Sequence, residues 1–315
     1  MGVVAAVALA GAATLTVLRF VDTSARLPVM ATSFASYAVL GFLLALVLLG
    51  ALVRRAGRLR PVVIAGLVLA LVGAVAHGYW LAPLFAGASG ARTDLVVMTS
   101  NLRFGLGDPN TVVRAVADGK VDVLVLEEVT PSELIALDRA GLAALLPHRA
   151  GEPVITAAGT MVFSRDRLRD ARAIALGNGG IAVDVRAPRP FRLLAVHTSQ
   201  PVAAATSWHD DLSEVKRQAA AAVGAGPTMV VGDFNATRDH PAFRKILGLG
   251  LHDAAEQADA GWQPTWPTES RARYLRPVIT IDHVLVTRDF AGVRTRTVDV
   301  EGTDHHALVA ELDRS

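Results

Sequence analysis

The chain contains no cysteine. That excludes disulfides, thiolate metal sites and thiol nucleophiles, and it fits either side of a membrane. Lysine is nearly missing as well. Lys120, Lys216 and Lys245 are the only three, so arginine carries the positive charge, which reads as coding bias. Acidic residues avoid the start of the chain: residues 1–90 hold six Arg, one Asp and no Glu or Lys. The remainder holds 25 basic and 28 acidic residues, a formal charge of −3. A net charge of +2 thus hides a basic N-terminal third and a slightly acidic remainder. Proteins that grip long nucleic acid present a basic face, so this balance weighs against such a partner. No Ser, Cys or Lys stands out as a nucleophile, which leaves water as the attacker in any hydrolysis. The acidic part shows no internal repeat and no low-complexity segment.

What the first third has instead is long apolar runs. Residues 2–18 are small and apolar without a charge, just long enough to cross a bilayer core. No basic residue precedes them, as one does in a cleaved signal peptide. Arg19 to Pro28 is a short polar turn. Residues 30–53 form a second run, and residues 61–86 a third that ends with Tyr79, Trp80 and Phe85, which suit the headgroup level. Runs this long and this free of charge predict three membrane spans over residues 1–86 rather than a buried helical hairpin. They hold no acid or Lys of the kind that marks an ion path. Arg54, Arg55, Arg58 and Arg60 lie between the second and third runs. The positive-inside rule puts that loop in the cytoplasm and the large C-terminal part outside the cell. His77 then sits near the outer interface. Residues 87–94 are small and polar and read as a linker. Eight extended residues reach roughly 28 Å, so the C-terminal part stays close to the membrane.

From residue 95 the texture changes to short apolar runs that end on polar residues. The stretch from Pro227 to Thr237 organises the rest. Its β-branched run predicts a buried strand ending at Gly232. Asp233 and Asn235 come next, and residues i and i+2 of an extended backbone point the same way. A carboxylate beside a carboxamide can hold a water next to a phosphate. A strand leading into an Asx-type turn is the other reading. Strands are predicted over 95–100, 121–126, 159–164, 181–186, 192–196, 279–286 and 307–312, and helices over 109–118, 131–145 and 207–223. The strands deliver Asn101, Glu127 with Glu128, and His197. Asp282 lies within one, and Asp304 with His305 precede the last. Strand ends that meet at one rim can build a site from distant residues. Carboxylate and amide oxygens suit Mg²⁺ or Mn²⁺, and two histidines suit phosphate contact or proton transfer. Each residue also has a plainer reading: Glu128 as a surface charge, His197 as a core histidine, Asp282 as structural. His283 and His306 are expected to face away. Trp208, Trp262 and Trp266 are expected in the core or rim, and Lys216 and Arg217 on a solvated face.

Taken in order, these residues resemble the endonuclease/exonuclease/phosphatase superfamily, the deoxyribonuclease I-like phosphoesterases, across residues 95–312. The motifs are Ser100-Asn101, Leu126-Glu127-Glu128-Val129, Val196-His197-Thr198, Gly232-Asp233-Phe234-Asn235, Ile281-Asp282-His283-Val284 and Thr303-Asp304-His305. The fourth is the most specific, and Pro264-Thr265-Trp266-Pro267 also resembles many members. The resemblance implies an α/β (α+β) fold, a four-layer αββα sandwich of two mixed sheets, here preceded by three transmembrane helices. It divides the chain into an anchor (1–86), a linker (87–94) and a catalytic domain (95–315). It also implies roles. Glu128 binds the divalent metal, with Asn101 and Asp304 nearby. Asp233 orients or deprotonates water, and Asn235 holds the phosphoryl group. His305, oriented by Asp282, binds phosphate or moves a proton, and His197 contacts a phosphate oxygen or the leaving group. Two departures stand out. Glu127 occupies a place where members commonly have Gln, and strand alternation points it away from Glu128. Thr303 replaces a usual Ser.

The expected activity is a membrane-anchored, metal-dependent phosphoesterase using water, with Mg²⁺ (or Mn²⁺) as cofactor. The substrate is a phosphate ester, lipid-linked or small. A tether near the membrane raises the site's effective concentration there, and the acidic domain disfavours nucleic acid. The chain resembles a membrane-anchored, VanJ-type branch associated with glycopeptide-antibiotic resistance and cell-wall lipid carriers. That likeness implies a polyprenyl (pyro)phosphate first and a phospholipid or sphingomyelin-like headgroup second. The alternatives are an extracytoplasmic nuclease and an inactive ligand-binding module of the same fold. The lipid bilayer is the expected partner, and no protein partner is predicted.

Overall fold

The computed structural model describes residues 1–87, 90–268 and 277–314. Residues 88 and 89 of the expected linker lie outside that set. Four helices come first: α1 (Gly2–Leu18), α2 (Arg26–Thr32), α3 (Ala38–Leu52) and α4 (Arg60–Leu81). After them come β1 (Leu95–Asn101), α5 (Pro109–Asp118), β2 (Val123–Glu127), α6 (Pro131–Ala140), α7 (Leu142–Leu145), β3 (His148–Gly151), β4 (Met161–Ser164), β5 (Leu168–Ala173), β6 (Gly180–Val185) and β7 (Phe191–His197). The chain continues through α8 (Pro201–Ala225), β8 (Thr228–Asp233), α9 (Pro241–Leu247), β9 (His252–Asp253), α10 (Ala254–Gln257), β10 (Asp282–Val286), β11 (Ala291–Asp299) and β12 (His306–Asp313).

Small residues let α1, α3 and α4 approach one another. Ala5, Ala12, Ala38, Ala45 and Ala70 line their seam around Phe42. Gly73 is required there, because a Cβ would come within 2.4 Å of the Phe42 ring. The outer faces are also apolar and uncovered, as at Val7, Leu40, Val47, Val68 and Val75. A helix apolar all round is buried in a core or in a bilayer. The continuous helical stretches Ala35–Leu52 and Gly57–Leu84 are long and apolar enough to cross a membrane, and only 33% and 11% of their apolar windows are buried. They are therefore not core helices. Two helices of that length, with the shorter 17-residue α1, stand where three spans were expected.

The second run is not one helix. It breaks at Ser33 and Phe34 because nearby groups take the bonds that a continuous helix would use. Thr32 Oγ1 donates back to Pro28 O at 2.9 Å. The Ser36 N–H and hydroxyl both donate to the Asp239 carboxylate, at 2.8 and 2.5 Å. His77 packs inside the bundle. It is buried between the helices, 2.9 Å from Thr16 Oγ1 and edge-on to Trp80. The four Arg residues of the α3–α4 connection are exposed, at the end of that hairpin opposite the sheets.

The sheets explain how distant residues meet. One has the order β11-β12-β1-β2-β4-β3 and the other β5-β6-β7-β8-β10-β9. Each is mixed, with one parallel pair, β1/β2 or β7/β8, among antiparallel neighbours. Their inner faces meet in a core that includes Val97, Val125, Leu193, Val231 and Val284. Trp208 and Leu212 of α8 with Phe243 and Ile246 of α9 cover one outer face. Val112 of α5, Leu137 of α6 and Leu142 of α7 cover the other. The result is a four-layer α/β sandwich. Parallel pairing brings the C-terminal ends of β1 and β2, and of β7 and β8, to one edge. The antiparallel strands β10 and β12 begin at that same edge.

Some boundaries moved for local reasons. The strand expected over 279–286 starts at Asp282, because the Val278 and Ile279 N–H groups bond Trp266 O instead. The helix expected over 131–145 divides at Gly141, which takes φ +101°. The helix expected over 207–223 follows a break at Ala204 (φ −148°, ψ 69°), with a short helical turn from Pro201 ahead of it. Linker residues lie along the sheet: Gly90 N–H bonds Gly292 O at 2.8 Å, and the Ala91 and Arg92 N–H groups bond the Asp313 carboxylate.

Candidate active site

Asn101 closes β1, and its Nδ2 donates to Asp233 Oδ2 at 3.1 Å and Glu128 Oε1 at 3.3 Å. Its Oδ1 accepts from the Arg103 N–H at 2.9 Å. Glu128 comes directly after β2 with φ +59°. That turn carries its carboxylate to the rim, where the Phe104 N–H donates to Oε2 at 2.7 Å. The side chain is 3% exposed, so Glu128 is no surface charge. Glu127 stays on the strand and points inward, where Thr99 Oγ1 donates to its Oε1 at 2.8 Å. Gly232 faces it from the other sheet. At Gly232 φ is +138°, and a Cβ would lie 2.1 Å from Val196 O and 2.9 Å from Glu127 Oε1. Only glycine fits that position.

Asp233 lies at the centre. The register pairs it with His197 on β7 and with Asp282 on β10. His197 Nε2 is 3.5 Å from Asp233 Oδ2 and 3.8 Å from Glu128 Oε1. His305 Nε2 is 3.8 Å from Asp233 Oδ2, and its Nδ1 is 3.0 Å from Asp282 Oδ2. The Asn235 N–H donates to Asp233 Oδ1 at 2.8 Å, and Asn235 has φ +45°. The backbone is therefore not extended here. The Asx-type turn is what brings Asp233 and Asn235 together. The Asn235 amide donates to Thr198 O at 3.0 Å, which fixes its plane.

Burial raises the Glu128 carboxyl above its usual range. Burial and then the Asp282 charge raise Asp233, and the same two causes push Glu127 well up. Burial opposes charge on His305, but adjacent Asp282, with Asp233 and Asp304, lifts it to about 10. Burial and then His305 push His197 down to about 3, so it is neutral. Its Nδ1 is 3.2 Å from Ala157 O, which only accepts, so Nδ1 carries the proton. Nε2 then accepts from Asn178 Nδ2 at 3.2 Å. His197 is thus held neutral with both ring nitrogens engaged, while His305 can give a proton.

The donor set fits a hard divalent cation. Glu127, Glu128, Asp233 and Asp282 are all buried, and burial raises three of them. Among the described residues, Glu127 Oε2 and Asp282 Oδ1 have no hydrogen-bond partner. Oxygen ligands beside excess acid are what Mg²⁺ and Mn²⁺ bind. The tightest ligand-type group among the described residues is Asp233, Asp282 and His305, with atoms within 4.8 Å of one another. Asp304, expected near Glu128, stands at the opening: Trp266 Nε1 is 3.4 Å from its Oδ2, and Arg103 Nε is 3.9 Å from its Oδ1.

A groove of about 440 Å³ opens onto Asp233, Asn235, Asp304 and His305. Phe104, Val202, Trp266 and Ile279 line it. Sequence reasoning missed Arg103, although it stands two residues after Asn101, and Asn178, which no motif marks. Trp208 is core, with Nε1 3.3 Å from Phe234 O, and Trp266 is rim. His283 faces away, 2.8 Å from Asp253 and 3.0 Å from Ala236 O.

A sequence model of the endonuclease/exonuclease/phosphatase family matches residues 98–305. No curated protein matches the chain. Solved structures do. A mannosyl-6-phosphatase from Bacteroides thetaiotaomicron is 16% identical with a TM-score of 0.55, covering 70% of this chain and 100% of that one. Truncated TDP2 from Caenorhabditis elegans is 16% identical with a TM-score of 0.57, covering 70% and 98%. Sphingomyelinase C from Streptomyces griseocarneus is 18% identical with a TM-score of 0.53, covering 70% and 99%. At these identities the likeness is one of fold.

Proposed function

The chain belongs to the endonuclease/exonuclease/phosphatase family, and on that premise we propose that it is a membrane-anchored hydrolase of lipid-linked phosphates, acting at the outer face. Family members are phosphoesterases and nucleases, and divalent-metal dependence is general among them. One observation carries the choice of substrate: the groove over Asp233 and His305 is walled mostly by apolar side chains, with Arg103, Gln200 and Ser33 as the polar members of the wall. Phe104 and Val202 are 52% and 47% exposed beside a charged centre. A site for a sugar phosphate or a nucleic-acid backbone needs walls that are mainly polar or basic. The uncovered apolar helices support a bilayer as the place where such a substrate is met.

Glu128, Asn101 and Asp304 would hold Mg²⁺, with Mn²⁺ as the alternative, and the bound ion supplies Lewis-acid stabilisation of charge on the phosphoryl oxygens. Asp233 orients the attacking water and takes its proton, and burial beside Asp282 makes it the stronger base. Asn235 turns its remaining amide hydrogen to the phosphoryl group. His305, kept cationic by Asp282, donates from Nε2 to a phosphate oxygen or the leaving group. Neutral His197 stands beside Glu128 and Asp233, with its ring held by Ala157 O and Asn178. These fixed donors and acceptors match an in-line attack.

The test is turnover by the full-length protein in mixed micelles with Mg²⁺, offered a polyprenyl diphosphate and plasmid DNA. Phosphate release from the lipid, abolished by EDTA, is the expected result. Cleavage of DNA without lipid turnover would make the chain a nuclease. No turnover on either, with metal bound, would make it a binding module.

A further inference from the structure

The segment between α1 and α3 is built into the catalytic domain. Val29 is 2% exposed and packs in the same apolar cluster as Trp208 and Phe243. His240 Nε2 meets Val29 O at 3.0 Å. Asp239 accepts from Ser36 and pairs with Arg19. Tyr37 donates to Val278 O at 2.5 Å. Asp239 lies four residues after Asn235, so the loop that carries Asn235 is also the loop that grips the anchor.

This clamp sets Met30, Ser33 and Phe34 against the groove that opens on Asp233, Asn235 and His305. Phe34 is 40% exposed, although its neighbours on both sides are held. α2 precedes it and α3 follows it, and α1 lies upstream across a short turn, so this wall stands at the end of the apolar bundle. A volume of about 440 Å³ is within the roughly 300–1,000 Å³ of small-molecule sites. It takes a phosphate headgroup and the first carbons of a chain, while a longer tail must leave along the bundle.

We propose that Met30, Ser33 and Phe34 are specificity-determining residues, which bind the first apolar carbons next to the scissile phosphate. The anchor then selects the substrate as well as locating the enzyme. This inference rests on the phosphoesterase reading above and deepens it.

The experiment compares the full-length wild type with Phe34→Ala, Phe34→Leu and Met30→Ala in micelles, on farnesyl diphosphate and on methyl diphosphate. Phe34→Ala is expected to lower kcat/KM on the farnesyl ester about ten- to hundredfold, mostly through KM, as loss of a buried aromatic contact implies. Methyl diphosphate turnover is expected to stay within about twofold, since that ester reaches no wall. Phe34→Leu keeps an apolar surface and is expected to restore most of the loss, and Met30→Ala to fall in between. Equal falls on both esters, or no change on either, would overturn the inference and leave the wall as scaffold. Methyl turnover by the variants shows that they are folded. Absence of turnover by the wild type on both esters would sink the phosphoesterase reading, and this inference with it.

Discussion

Asp282 acts on two neighbours at once. Its charge helps to raise Asp233, strengthening it as a base, and its contact with Nδ1 keeps His305 protonated. Replacement by Asn removes the counterion and lets the His305 pKa fall. A histidine held above its ordinary value is cationic below that raised pKa and loses the charge only as pH climbs through it. The wild-type basic limb is therefore expected above pH 8. In Asp282→Asn the limb is expected to move down, with kcat/KM falling about 10²-fold at pH 8 and less at pH 6. A pH–rate profile checks this, and a parallel loss at both values would contradict it. The sequence showed Asp282 within its motif but not its place: it opens β10 rather than sitting within the strand. Asn178 was invisible because nothing local says that its amide reaches His197, 19 residues on.

Strand-scale constraints explain which elements could be read. β1, β2, β7 and β8 are almost wholly buried, and buried strands show as apolar runs. β5 is a largely exposed edge, Leu-Arg-Asp-Ala-Arg-Ala, with no alternation to detect. β3 is four residues long and takes its identity from pairing with β4. The most specific motif has its physical basis in Gly232. A Cβ there meets Val196 O and Glu127, and φ is in the left-handed region. Gly232→Ala is expected to cost about 1–3 kcal/mol of stability. A lower thermal midpoint in detergent checks it, and an unchanged midpoint would contradict the packing argument. Glu127 belongs to the same contact: burial pushes this carboxyl well up, so the acid can stay protonated there as a neutral group.

At the scale of the whole molecule, the apolar runs showed that membrane-compatible helices come before a soluble-looking domain. They did not show that the two interlock. Ser36 meets Asp239 across 203 positions of sequence, and periodicity within a window carries no such information. The split into a basic start and an acidic remainder is likewise a property of two bodies, which the net charge averages away. The joined rims of the two sheets, the excess of buried carboxylate and the apolar groove at the bundle's end together argue for one reaction. The most direct measurement is phosphate release from a polyprenyl diphosphate by the full-length wild type and Asp233→Asn, each with Mg²⁺ and after EDTA. The expected result is turnover only by the wild type with metal, with the variant slower by about 10³-fold. Equal rates for the two proteins, or wild-type turnover that survives EDTA, would contradict it.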